Sequence, residues 1–197
     1  VDGIAANRVA KWNGSAWSAL GSGMDNSVIT LVVLGTDVYA GGYFTTAGGV
    51  TVNRIAKWNG SAWSALGAGV DDLVLALSVS GTDIYAGGYF ITAGSVSANR
   101  VAKWDGSAWS ALGSGMSGSV EALAVSAASS LAKWNGSTWS ALGSGVGPIA
   151  GTRVKALAIW GSDVYAGGDF TTAGPSGAAY IAKWNGSTWS ALGAGTD

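Results

Sequence analysis

One twelve-residue stretch, Ala-Lys-Trp-Asn-Gly-Ser-Ala-Trp-Ser-Ala-Leu-Gly, recurs five times with almost no variation. Its first tryptophan falls at Trp12, Trp58, Trp104, Trp134 and Trp184, at intervals of 46, 46, 30 and 50 residues. A repeat of that length is a single supersecondary unit, too small to bury its own apolar faces, so the fold is built by stacking copies. Any site is then either reproduced in several units or formed where units meet.

One unit can be read along residues 28–67. Val28 to Leu34 is a β-branched apolar run closed by the turn tripeptide Gly35-Thr36-Asp37. Its near-continuous hydrophobicity predicts a strand covered on both faces. Val38-Tyr39-Ala40 leads into Gly41-Gly42 as a short second strand, with side chains removed where another backbone is expected to approach. Tyr43 to Asn53, rich in Thr and Gly, reads as a loop. Arg54 to Trp58 and Trp63 to Leu66 make a third and fourth strand around Asn59-Gly60. That dipeptide predicts a type I′ hairpin turn, with positive φ at both central positions.

No helical period of useful length appears, so the expectation is an all-β chain of four-stranded antiparallel units, the pattern of β-propeller blades. A double glycine closing the second strand, an aromatic in the third and a Trp opening the fourth resemble the kelch-type blade over nearly the whole chain. The units are also similar to the near-identical propeller repeats of bacterial secreted or surface proteins. Trp58 and Trp63 have four residues between them, fewer than kelch blades typically carry. Some kelch proteins hold a copper oxidase site built on His ligands and a Cys–Tyr crosslink; this chain contains neither His nor Cys, so that activity does not transfer.

The repeats divide the chain into units 1–27, 28–73, 74–119, 120–153 and 154–197. Five outer hairpins are present, but first strands occur only at Val28–Leu34, Val74–Val79, Val120–Val125 and Val154–Trp160. The Tyr-Ala-Gly-Gly second strand occurs three times, at Tyr39, Tyr85 and Tyr165. The chain runs from Val125 through Ser126–Ser130 straight to Leu131, an interval 16 to 20 residues shorter than its neighbours. Five blades, two of them incomplete, imply a ring that is part of a larger one or is completed by another chain or by missing sequence.

Composition narrows the function. Only 11% of residues are charged and the net charge is −1, with no Lys/Arg cluster to track nucleic-acid phosphates. No apolar run approaches the roughly 18–20 residues of a membrane span. A surface coated in Ser, Thr, Asn and Gly points to an extracellular or cell-surface setting. Without Cys or His the chain has no thiol nucleophile, thiolate zinc site or Ser-His-Asp triad. No calcium-loop pattern is present either, so no metal or cofactor is expected. One Glu (Glu121) and ten Asp supply the acids, with Asp37, Asp83 and Asp163 read as turn formers.

Propeller loops alternate between two faces, and the long connections share one of them, where function belongs. The candidate binding residues there are Tyr43, Phe44, Tyr89, Phe90, Asp169 and Phe170 in the loops after the second strands. Asp25, Asp71 and Asp72 lie in the links between units. Exposed rings repeated around an array would stack on sugars or anchor a protein; otherwise the phenylalanines pack beneath their own loops. The paired tryptophans fit the wedge between units, and the Lys beside each first Trp fits a solvated outer edge. Asn-Gly-Ser fits the N-glycosylation pattern in four units. In the third, Asp105-Gly106-Ser107 keeps the turn chemistry and loses the acceptor, so turn formation covers all five. The expected function is a non-catalytic extracellular scaffold or adhesion surface for a protein partner. A multivalent lectin for surface glycans is the alternative, and an enzyme completed by residues outside this chain is a weaker third.

Overall fold

The computed structural model describes residues 2–3, 5–123, 132–134, 139–142, 146–147 and 153–195. Two compact units divide the chain, residues 1–120 and 121–197. Among the described residues all regular structure is β, and every strand pairing is antiparallel.

The first unit begins with a lone hairpin, β1 (Ala10–Trp12) and β2 (Trp17–Ala19). The next repeat is β3 (Val28–Leu34), β4 (Asp37–Gly42), β5 (Thr46–Ala47), β6 (Val50–Thr51), β7 (Ile55–Trp58) and β8 (Trp63–Ala65). Its successor repeats the plan as β9 (Val74–Ser80), β10 (Asp83–Gly88), β11 (Thr92–Ala93), β12 (Val96–Ser97), β13 (Val101–Trp104) and β14 (Trp109–Ala111). Strands β3-β4-β7-β8 and β9-β10-β13-β14 form two meanders in sequence order. The segment expected to be a plain loop carries a small hairpin, β5-β6, folded about Gly48 and Gly49, both at positive φ.

The second unit holds β15 (Ala132–Trp134), β16 (Trp139–Ala141), β17 (Val146–Gly147), β18 (Arg153–Trp160) and β19 (Asp163–Asp169). It ends with β20 (Thr172–Ala173), β21 (Ser176–Gly177), β22 (Ile181–Trp184) and β23 (Trp189–Ala191). Strands β18-β19-β22-β23 form the third full meander, and β15-β16 is again a hairpin alone. The expected strand from Val120 is not formed over residues 120–123, and the rest of it, with the Ser126–Ser130 link, lies outside the described residues.

Neighbouring meanders of the first unit stack through their first strands. Val32 and Leu34 of β3 pack against a core that includes Val74, Leu77 and Ile84, and the Leu77 amide donates to Thr30 Oγ1 at 3.2 Å. The expected close approach of backbone holds at Gly42, whereas the close neighbours of Gly41 are the Val74 and Thr30 side chains. A Cβ on Gly41 would lie 2.5 Å from Val74 Cγ1, and one on Gly42 would collide with the Ser27 carbonyl. Both-face coverage, however, fails for β3. Its burial alternates, and Ile29, Leu31 and Val33 stand 48%, 49% and 63% exposed, with no described first strand on that side.

The tryptophan hairpins supply a second joint. Trp12 faces Trp17, Trp58 faces Trp63 and Trp104 faces Trp109 across their strands, with ring centroids 5.5, 5.4 and 5.4 Å apart at tilts of 50–54°. Such tilted offset pairs are favourable for ring quadrupoles. In the next two hairpins the second Trp reaches back one repeat. Trp63 Nε1 donates to the Leu20 carbonyl and Trp109 Nε1 to the Leu66 carbonyl, each at 2.8 Å. In the second unit Trp189 Nε1 donates to the Leu142 carbonyl at 2.9 Å. Trp58 and Trp104 pack their ring edges on the glycine that follows that leucine: a Cβ on Gly21 would sit 3.2 Å from Trp58, and one on Gly67 3.3 Å from Trp104.

The Asn-Gly turns differ from the type I′ expectation. Gly14, Gly60, Gly106 and Gly186 have φ of 98–102°, but the preceding Asn or Asp is not in the left-handed region. The side chain closes the turn instead. Asn59 Oδ1 accepts from the Ser61 amide, the Ser61 hydroxyl and the Ala62 amide at 2.9–3.0 Å. Asp105 Oδ1 takes the equivalent three bonds at 2.8 Å, so the turn needs only a side-chain carbonyl-type acceptor.

Candidate functional site

The long connections meet, as expected, on a common side of each described repeat, and most of their polar groups are spent on one another. In the first unit, Asp25 lies in the link before β3 and reaches the loop after β4. Its Oδ1 accepts from the Thr45 and Thr46 amides at 2.8 and 3.0 Å, and its Oδ2 from the Thr45 hydroxyl at 2.6 Å. Partial desolvation opposes ionisation, but the Thr45 hydroxyl and the two amides outweigh it and bring the Asp25 pKa down to about 2. Asp71 repeats the arrangement, accepting from the Ile91 and Thr92 amides at 2.9 Å. Asp72 turns onto its own chain and accepts from the Leu73 amide at 2.7 Å. These carboxylates bracket loops; they do not point as a group at a common centre.

The aromatic candidates separate into two sets. Phe44, Phe90 and Phe170 are fully buried, so their rings are core and are not available to a ligand. Each ring shares a core cluster with an alanine of the small hairpin that follows it: Phe44 with Ala47, Phe90 with Ala93 and Phe170 with Ala173. Tyr43 and Tyr89 remain 42% and 44% exposed. Asp169, at the corresponding place in the last repeat, is the final residue of β19 and pairs with Lys155 Nζ at 2.8 Å.

Several recurring residues carry structural roles that their sequence positions did not reveal. Asp37, Asp83 and Asp163 begin second strands and hold the lysines of the third: Lys57 Nζ to Asp37 at 2.6 Å, Lys103 to Asp83 at 3.1 Å, Lys183 to Asp163 at 2.6 Å. These are ion pairs rather than turn formers alone, and the hydrogen bond to Asp37 raises the Lys57 pKa. Lys57 and Lys183 also lie 5.9 and 6.0 Å from the rings of Tyr39 and Tyr165. Just ahead of β1, β7, β13 and β22 the backbone is left-handed: Arg8, Arg54, Arg100 and Tyr180 have φ of 62–70°. Such a backbone costs an ordinary residue on the order of 1 kcal/mol, and two bonds over-determine it. The Arg54 amide donates to the Phe44 carbonyl at 2.8 Å while its carbonyl accepts from the Gly42 amide at 3.0 Å.

One shallow polar cleft, of about 350 Å³, lies where the second and third repeats meet. Asn53, Arg54, Asp71 and Thr92 contribute to its wall, and Arg54 Nε is buried with no hydrogen-bond partner. Sequence reasoning named Asp71 there but not Arg54, which only the left-handed corner brings to the junction. Among the described residues no group of three or more Asp and Glu gathers as a metal site would require. No family model matches the chain, and no curated protein matches it.

Proposed function

We propose that this chain is a non-catalytic extracellular repeat module, of kelch-like β-propeller type, that works as a scaffold or protein-interaction surface. The observation that carries the reading is where the recurring polar groups go. Asp25 and Asp71 bracket loops, and Asn7, Asn53 and Asn99 donate through Nδ2 to the Ser22, Ala68 and Ser114 carbonyls. Residues repeated for chemistry would converge on an open space; these converge on neighbouring backbone. What stays free on the long-loop side is a low-charge surface with Tyr43 and Tyr89 standing out of it, a composition suited to protein contact.

A propeller is supported by sequential four-stranded meanders that stack first strand on first strand, the arrangement of adjacent blades. The extracellular setting rests on the neutral polar coat. A second reading, a shallow lectin with one site per repeat junction, draws on the exposed Tyr43 and Tyr89 and on the cleft beside Arg54. A sugar ring stacks on an aromatic face while its hydroxyls use polar groups such as those of Asn53 and Asp71. Glycan-array screening of the intact chain separates the two. The scaffold reading expects no saturable glycan binding. Saturable binding that disappears in Tyr43→Ala and Tyr89→Ala would replace it with the lectin.

A further inference from the structure

A left-handed arginine corner recurs at Arg8, Arg54 and Arg100, but the side chains are not used alike. Arg8 Nη1 donates to the Met24 carbonyl at 2.8 Å and Arg100 Nη1 to the Met116 carbonyl at 3.1 Å. Val70 stands where those two corners have Met, and Arg54 makes no such bond to it. Its Nε is buried without an acceptor, a state that buried donors rarely keep. The carboxylate in the same cleft is also half used. Thr45 caps Asp25 Oδ2 with its hydroxyl, but Ile91 takes that place beside Asp71, whose two loop bonds both end on Oδ1. Two changes in near-identical repeats thus leave donors and an acceptor unspent in one cleft of about 350 Å³. Its base is fixed, since the Arg54 backbone is tied to both Phe44 and Gly42.

We propose that this cleft binds one primary carboxamide, the terminal group of asparagine and glutamine, and that its counterparts at Arg8 and Arg100 do not. Arg54 offers only donors and Asp71 Oδ2 only accepts, so the ligand must bring an acceptor and a donor together. A carboxylate would meet the charge of Asp71, and an ammonium that of Arg54. An apolar group would leave both unpaired. A trans peptide group points its N–H and C=O in opposite directions, whereas a primary amide carries one of each along a single edge. Among the described residues no aromatic ring lines the cleft, so a sugar has no face to stack on. Asn and Gln side chains bring the group to protein surfaces, so the pocket rests on the interaction-surface reading and gives it a point of specificity.

The probe is N-acetyl-glutamine methylamide, titrated into the full chain while the arginine Nε–H resonances are followed by NMR. Arg54→Lys assigns the Arg54 signal by removing it. That signal should move saturably, in the roughly millimolar range for so small a ligand, with those of Arg8 and Arg100 unmoved. N-acetyl-alanine methylamide, which has the peptide groups alone, and N-acetyl-glutamate methylamide should each bind at least about tenfold more weakly. Ile91→Thr supplies the hydroxyl that Thr45 gives Asp25, at an exposed position where the fold is kept. It should weaken binding of the glutamine probe about tenfold as well. No saturable shift, equal binding of the alanine probe, or unchanged binding in Ile91→Thr would overturn the site, while a silent glycan array would leave the interaction-surface reading standing. Methyl galactoside saturating the Arg54 signal would overturn both.

Discussion

The first and third outer hairpins share the sequence Ala-Lys-Trp-x-Gly-Ser-Ala-Trp-Ser-Ala-Leu-Gly, yet they live in different surroundings. Trp12 is 48% exposed, while Trp104 is 8% exposed and rests its ring on Gly67. Trp109 donates to the Leu66 carbonyl one repeat back; the Trp17 indole makes no such bond. Burial here is a property of position in the stack and not of the residue. In an array whose stability is the sum of unit and nearest-neighbour terms, a copy with one neighbour is worth less than a copy with two.

The largest expected contrast is in the first strands. Leu77→Ala should cost about 2–5 kcal/mol, the range for a core leucine, whereas Leu31→Ala should cost under about 1 kcal/mol. Urea denaturation of the two variants measures both, and equal losses would break the contrast. Next comes the tryptophan joint. Trp109→Phe removes the buried donor to the Leu66 carbonyl and should cost about 1–3 kcal/mol, against about 0.5 kcal/mol or less for Trp17→Phe. Thermal unfolding reads the difference.

Smaller effects sharpen the loop side. The Asp25 pKa is depressed to about 2 in the folded chain, below its ordinary 3.8. Its contribution is therefore full above about pH 4 and is lost as pH falls toward 2. Asp25→Asn should flatten that part of the stability–pH curve, by under about 1 kcal/mol because the group is exposed to solvent. Ser117, which takes the same place in the third link, should give no such dependence when changed to Ala. Smallest of all, a double-mutant cycle on Lys57 and Asp37 should return about 0.2–1 kcal/mol, and Lys11→Met should leave stability unchanged.

Much of one repeat was legible from residues alone. Glycine pairs and Asn-Gly turns punctuate the chain, and β-branched runs sit between them, so β3, β4, β7 and β8 fall within a residue or two of expectation. The small β5-β6 hairpin was not legible, because strands of two residues carry no alternation to read. Nor was the Lys57–Asp37 pair, since residues 20 apart become neighbours only when the register of β4 on β7 is known. Phe44 in a polar loop has no periodic context to declare its burial. On the candidate site, sequence placed Tyr43 and Tyr89 on the long-loop side, but it could not tell that Asp25 and Asp71 are occupied by the loops themselves. Exposure of the Ile29-Leu31-Val33 face was invisible for a simpler reason: it depends on which strands lie beside β3.

Native-state amide hydrogen exchange, repeat by repeat, tests most directly whether neighbours rather than sequence set stability. The account predicts that the amides of Val74–Gly88 are more strongly protected than those of Val28–Gly42, with Ala10–Trp12 the least protected of the three. Equal protection of all three segments would contradict it.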